Sequence, residues 1–393
     1  MVGSLSGIRV VDVTTSVAGP FATQILGDLG ADVIKVERPE VGDDTRRWGP
    51  PFWNDESCTF VALNRNKRSV VLDLKEKEDA ERFRELLATA DVLVQNLRPG
   101  TLAKLGFGYE DVRRLNPEII YCDMTGYGLG GALRDSPAYD PLMQAFGGIM
   151  SLTGEEGRPP VRVPASILDQ GTGMWTAIAV LDALRTREGT GHGAHLHTSL
   201  LNTALMWLPA QTTGYFAEGI VPKRLGSGAV GIYPYAAFPT EDGYILVGAG
   251  NQNLWIRLCE VVERPDLLDD PRFAQNPDRV AHRDVLAEEL ARTLRTAKSA
   301  HWLAALEKVG VPASPIQALD EVVAHDQVRA IEGFAEVPHP RIENFRVINL
   351  PMQSDGAYPP IRLVPPRLGE HTAEVLAELA ERRDTRAGEG GEE

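Results

Sequence analysis

The stretch that most constrains this chain lies near its start. IRVVDV, read from Ile8, is an apolar run broken by one acid; TTSVAGP follows as a small-residue turn, FATQILGDLG as a helix and ADVIKVE as a second strand. Two strands joined by a helix within about 30 residues predict a parallel β-α-β unit, since a parallel crossover needs a connection of that kind. Strands that read apolar on both faces must be covered on both faces, so the unit predicts an α/β domain. The helix opens at Ser16-Val17-Ala18-Gly19-Pro20, where backbone N–H groups can meet an anion. Glu37 ends the second strand, the place of a ribose-binding acid, but the loop is not G-x-G-x-x-G; a nucleotide fits and NAD is not favoured.

The same logic continues through NRNKRSVVLDLK, DVLVQNLRPG and EIIYCDMTGYGLGG, each a strand run ending in a polar or glycine-rich turn. Gly126, Gly128 and Gly131 satisfy G-x-G-x-x-G formally, yet Ser136-Pro137 interrupts the helix that should follow. Basic residues recur beside these strands at Arg38, Lys67, Arg68, Lys75, Arg98 and Lys104. Each alone is a solvated charge; together, at strand ends of one sheet, they predict a phosphate-rich ligand.

The stretch VPASILDQGTGMWTAIAVLDAL carries one carboxylate of interest, Asp169, ahead of a Gly-Thr-Gly break and an apolar run that reads as a helix buried on two faces. An acid there is either an N-cap for orphan N–H groups or an ionised nucleophile at the positive helix end, with the glycines leaving room for substrate. His195 and His197 alternate along a strand-like segment, with His192 nearby, but no further Cys or His lies near enough in sequence to complete a ligand set. The reading there is structural, and no metal is expected. A composition shift after Lys223 opens a region of short strands with a Glu-Asp-Gly hairpin turn; its strand YILVGAG ends in a second glycine loop, and amphipathic helices follow. That loop is either a plain turn or a mobile donor of N–H groups to a charged intermediate.

Composition narrows the partners. A formal charge of −15 over 393 residues argues against nucleic acid or an anionic membrane, and three scattered cysteines suit a reducing compartment. No apolar run approaches the ~18 residues of a membrane span and no signal peptide is legible, so a cytoplasmic location is expected.

Taken in order, SVAGPFATQILGDLGADVIKVERPEVGDDTR, NRNKRSVVLDLK, NLRPGTLAKLGFGYEDV, TGYGLGG, Tyr139-Asp140, ASILDQGTG, VGAGNQNLW and GEHTAEVLAEL resemble the class III CoA-transferases, the family of formyl-CoA and carnitine CoA-transferases. The resemblance runs from about Leu5 to about Ala380 and is nearest the succinyl-CoA:glutarate branch, through GDDTRRWGPPF, NRNKRS and IYPYAAF…DGYILVGAGNQ. It implies a Rossmann-like large domain from both chain ends (1–222 and 329–380), a smaller α+β domain (223–328) and an interlocked homodimer; the charged, glycine-rich composition after the closing helix predicts a disordered tail (381–393). It implies CoA as co-substrate with a carboxylic acid acceptor, and Asp169 as nucleophile through aspartyl anhydride and aspartyl-CoA thioester intermediates. CoA-binding positions map onto Val17, Ala18, Arg38, Leu72, Lys75, Asn96, Arg98, Lys104 and the segment ending Ala138, Tyr139, Asp140; the shielding loop maps onto Gly248, Ala249 and Gly250. An ordinary carboxylate with a pKa of about 4 would be ionised at pH 7 and need no base. The alternative is an acyl-CoA racemase of the same fold, but related racemases carry a His-Asp pair where this chain has Tyr139-Asp140. Lys104 replaces an arginine of some members, and Ala249 a glycine.

Overall fold

The computed structural model describes residues 3–389. The chain divides into two compact units: the first comprises the segment up to Ile149, Val163–Thr213 and the chain from Arg329 onward; the second comprises Met150–Arg162 and Gly214–Val328. The expected boundary at 222/223 therefore moves to 213/214, and 150–162 leaves the first domain. The reason is local pairing: the Gly226 N–H donates to the Gly154 carbonyl at 2.8 Å, and Lys223 Nζ meets Glu156 at 2.8 Å.

In the first unit the main elements are β1 (Arg9–Val13), α1 (Ala18–Asp28), β2 (Asp32–Glu37), β3 (Lys67–Val71), α2 (Lys77–Leu87), β4 (Val92–Gln95), α3 (Tyr109–Leu115), β5 (Ile120–Thr125), α4 (Asp140–Phe146), α5 (Ile167–Thr190) and β6 (Ala194–Ser199). The six strands form one parallel sheet in the order β3-β2-β1-β4-β5-β6. Alternate side chains enter two cores. Val10, Val33 and Val92 pack with Ala22, Leu26, Ala177 and Val180 of α1 and α5. Val11, Ile34 and Leu93 pack on the other face with Phe83, Leu87 and Phe107. Each fully buried side chain of this kind contributes roughly 1.5–3 kcal/mol, which is why the central strands place apolar residues on both faces.

Inside this apolar sheet sits a cluster of buried charges. Asp12 of β1 lies 3.1 Å from Lys67 Nζ and 3.9 Å from Lys35 Nζ, and Lys35 lies 2.9 Å from Asp43. Burial alone would raise the Asp12 pKa; the two ammonium groups, with Thr14 and Thr23 donating to its oxygens, hold it well below the usual range. Lys67 also donates to the Pro20 carbonyl and to Asn64. It is thus committed internally and is unavailable to a ligand, contrary to the expectation from sequence. Arg68 is likewise spent, on Asp32 and on Glu374 and Glu378 of the closing helix, and it lies near the amino end of β3. Glu37 is not a ribose acceptor either, since Arg46 donates to both its oxygens at 2.7 and 2.8 Å and Ser69 adds a third bond.

The second unit holds an antiparallel sheet of β7 (Tyr235–Pro239), β8 (Tyr244–Gly248) and β9 (Ala313–Pro315), in the order β9-β8-β7. Helices α6 (Gln252–Val261), α7 (Arg283–Leu294) and α8 (Ser299–Lys308) pack on it through Trp255, Leu258, Leu286, Leu290 and Leu306. The chain closes with α9 (Thr372–Glu389). This helix passes the point, 381, where a disordered tail was expected to begin; the rest of that expectation, 390–393, lies outside the described residues. Its Val375 and Leu379 are buried against the α2 face of the sheet.

Asp12→Ala leaves two buried ammonium groups without their shared counter-charge, so a loss of about 3–5 kcal/mol is expected in urea denaturation. Removing the exposed Arg185–Glu188 pair by Arg185→Ala is expected to change stability by less than ~0.5 kcal/mol.

Candidate active site

A cavity of about 230 Å³ opens at the carboxyl ends of β1, β4 and β5. The strand order turns outward in opposite directions from β1 and β4, so the loops after these strands diverge and leave a crevice. Its floor, residues 14–16, is held from three sides. Lys35 Nζ donates to the Thr14 carbonyl at 2.8 Å from below. The Asn96 side chain accepts from the Thr15 N–H at 2.9 Å and donates to the Thr15 carbonyl at 2.7 Å. Asp43 accepts from the Ser16 N–H at 3.1 Å, where Ser16 adopts a left-handed φ of 69°.

Asp169 faces this cavity from the first turn of α5. The helix does not wait for the Gly-Thr-Gly element; it starts at Ile167 and runs through it. Asp169 is accordingly no N-cap. That work is done by Asp140, fully buried, whose Oδ2 accepts from the N–H groups of Leu168 and Asp169 at 2.7 and 3.2 Å while Oδ1 accepts from Gln144. The glycines do not enlarge the cavity either. A Cβ at Gly173 would stand 2.8 Å from the Ala18 carbonyl oxygen, and one at Gly171 would stand 2.8–3.1 Å from Thr203 and Trp207. They let α5 pack tightly on α1 and its neighbours.

Burial, and then the Asp140 charge, push the Asp169 carboxyl up to about 7. The expectation of an ordinary carboxylate pKa is therefore corrected. With its N-terminal amides already bound to Asp140, the helix end offers Asp169 little of the stabilisation that an exposed carboxylate would find there.

Of the other positions expected around a ligand, Ala18, Asn96, Arg98, Ala138 and Tyr139 line the cavity with Asp169. Arg38 and Tyr139 line a neighbouring cavity that shares Asp44 and Trp48 with the first; Arg38 there donates to Asp44 at 2.6 Å. Val17 is the buried residue preceding α1. Leu72 is buried in the sheet core, and Asp140 is buried beneath the cavity; neither is among its lining residues. Lys75 is exposed in the turn after β3 and Lys104 is exposed at the end of the short helix Thr101–Lys104 that follows β4, and with Arg98 they have no ion-pair partner among the described residues. Gly248, Ala249 and Gly250 belong to the second unit. There the Gly248 and Ala249 amides donate to the Pro312 and Pro234 carbonyls, each at 2.8 Å, so these two are not available as oxyanion donors.

Sequence reading missed Thr15, Asp44, Trp48, Arg134, Ser136 and Thr172 as cavity residues. Thr172 carried a signal, since it stands one helical turn (i+3) from Asp169 and so shares its face. Trp48 was legible only as an aromatic in a polar loop.

The family model of CoA-transferase family III matches residues 5–372. Succinyl-CoA:glutarate CoA-transferase of Mus musculus is 38% identical, with 95% of this chain and 86% of the relative covered. Succinate–glutarate CoA-transferase of Agrobacterium fabrum is 39% identical with 95% of each covered, and acetyl-CoA:oxalate CoA-transferase of Acetobacter aceti is 40% identical with 84% of each covered. Among solved structures, a CAIB/BAIF family protein from Brucella suis superposes with a TM-score of 0.87 at 38% identity, covering 96% of this chain and all of the other. With its α/β fold, its switch-point cavity and these matches along almost the whole chain, the protein belongs to CoA-transferase family III and is a CoA-transferase.

Proposed function

We propose that this enzyme moves CoA between dicarboxylic acids with Asp169 as the covalent nucleophile. The observation that carries the reading is a desolvated carboxylate in the cavity at the carboxyl edge of the sheet. Asp169 attacks the thioester carbonyl of the donor, giving an aspartyl acyl anhydride and CoA thiolate. The thiolate attacks the aspartyl carbonyl of that anhydride, releasing the donor acid and leaving an aspartyl-CoA thioester. The acceptor carboxylate attacks this thioester, freeing the thiolate and forming a second anhydride; the thiolate then takes the acceptor acyl group and Asp169 returns as a carboxylate. A poorly solvated carboxylate is a stronger base and a better nucleophile than one in water, which is what burial supplies here.

Several observations support the CoA site. Arg98, Lys75 and Lys104 are cations at the carboxyl edge of an acidic protein that have no ion-pair partner among the described residues, whereas Lys35, Lys67 and Arg68 are consumed internally. The first three are our candidates for CoA phosphates. The strand order supports a Rossmann-like large domain. The dicarboxylate class rests on the named activities of the relatives from Mus musculus and Agrobacterium fabrum. No histidine lines the cavity among the described residues, which speaks against the racemase alternative. An interlocked homodimer is supported by the outer face of α5, where Met174, Trp175 and Ile178 are exposed in the single chain although the sequence reads as buried on both sides.

Mixing the protein with succinyl-CoA and hydroxylamine is expected to place a hydroxamate on the peptide containing Asp169, read by mass spectrometry. Asp169→Ala is expected to lower transfer at least ~10³-fold; a variant with full activity would sink the mechanism.

Since the carboxylate is the reactive form, kcat/KM is expected to fall as pH drops below about 7. Asp140→Asn keeps an oxygen for the helix amides but removes the neighbouring charge, so the midpoint of that limb should move to lower pH. The same shift has a stability consequence. The folded state holds the Asp169 proton more tightly than the unfolded chain, so ionisation costs stability, increasingly from about pH 4 to about pH 7 and fully above. Asp169→Asn is therefore expected to raise the thermal midpoint at pH 8, with the difference shrinking as pH falls.

A further inference from the structure

We propose that Asp123, His195 and His197 form a binding site for a divalent transition-metal ion of the zinc class at the outer edge of the sheet. The parallel register sets Asp123 of β5 directly beside His197 of β6, and Tyr121 beside His195. Residues two apart on a strand share a face, so both imidazoles and the carboxylate project on the same side. Asp123 Oδ2 lies 2.7 Å from His195 Nε2 and 3.6 Å from His197 Nδ1, and the three ligand atoms fall within 4.8 Å of one another. Ligands around a tetrahedral ion with bonds of about 2.1 Å stand roughly 3.4 Å apart, so the side chains need only small adjustments to receive one.

The groups around these three side chains hold them in place. Gln95 of β4 donates Nε2 to Asp123 Oδ1, and its own Oε1 accepts from the Leu97 N–H at 2.8 Å. With its carbonyl committed, the Gln95 amide must present its NH₂ to the carboxylate, and this leaves Oδ2 as the oxygen turned to the imidazoles. Tyr109 stacks on the His195 ring at 4.1 Å and 17°, and Tyr121 meets it edge-on at 5.4 Å, so the ring plane is set by packing. His197 is 41% exposed, which gives an entry path and leaves the remaining coordination position to water. Two imidazoles and one carboxylate suit Zn²⁺ and its late first-row neighbours, whereas Mg²⁺ takes an oxygen set. None of the three residues lines the Asp169 cavity. The ion would pin the edge strand β6 to β5 and take no part in the transfer.

The full chain, stripped with a chelator and desalted, is titrated with zinc chloride by calorimetry and native mass spectrometry, with magnesium chloride as control. The expected result is one Zn²⁺ per chain, no Mg²⁺ at equal concentration, and a thermal midpoint that rises with zinc. His197→Ala, on an exposed side chain that the fold can spare, is expected to weaken zinc binding at least ~10-fold and to abolish the thermal shift. The exposed neighbour His192→Ala is expected to bind as wild type, and CoA transfer should be unchanged by His197→Ala. Absence of stoichiometric zinc in the wild type, or equal binding by His197→Ala, would overturn the proposal and leave the cluster as a hydrogen-bonded His-Asp pair.

Discussion

The buried charge cluster of Asp12, Lys35, Lys67 and Asp43 is what ties the sheet to the Asp169 cavity. These side chains are fully withdrawn from water, so none can be left without a counter-charge, and the positions of three strands and two loops are coupled through them. Lys35 reaches from β2 to the Thr14 carbonyl, Lys67 reaches from β3 to the Pro20 carbonyl, and Asp43 holds the Ser16 amide. The loop after β1 is thereby fixed at both ends before any ligand arrives. A cavity built on such a loop is preorganised, and the cost of that order has been met in folding rather than in binding.

A second dependence runs through Asp140. It is an acid placed where a helix start needs an acceptor, and its carboxylate caps α5 across 28 residues of sequence. Capping the helix and raising the pKa of Asp169 are then one act. The amides that would have favoured an ionised Asp169 are already bound, and the charge that binds them stands next to it. The proposed nucleophile is left with little stabilisation of its ionised form, which lowers stability above neutral pH and favours attack on a thioester.

The fold was largely legible. β1, α1 and β2 follow the run from IRVVDV to ADVIKVE, because an apolar strand and a 3.6-period helix are written in neighbouring residues. The cavity at the carboxyl edge was legible from topology alone. What local reading mistook was allocation of charge: NRNKRS looked like a basic patch awaiting phosphate, yet Lys67 and Arg68 meet Asp12 and Asp32, which precede them by 55 and 36 residues. The domain boundary failed similarly, since 150–162 pairs with residues far downstream. His195 and His197 lacked a third partner in sequence because Asp123 stands 72 residues away and becomes a neighbour only through β5.

By itself the sequence determined the order of strands and helices, the parallel sheet, and the placing of Asp169 at the start of a helix beside that sheet. These follow from periodicity and from the chirality of crossovers, both of which act over short stretches. Only the tertiary structure decided which cations stay unpaired, why the glycines at 171 and 173 are small, and that Asp169 titrates near neutrality. Solvation and ion pairing depend on what surrounds an atom in space, and for these groups the decisive neighbours come from distant parts of the chain.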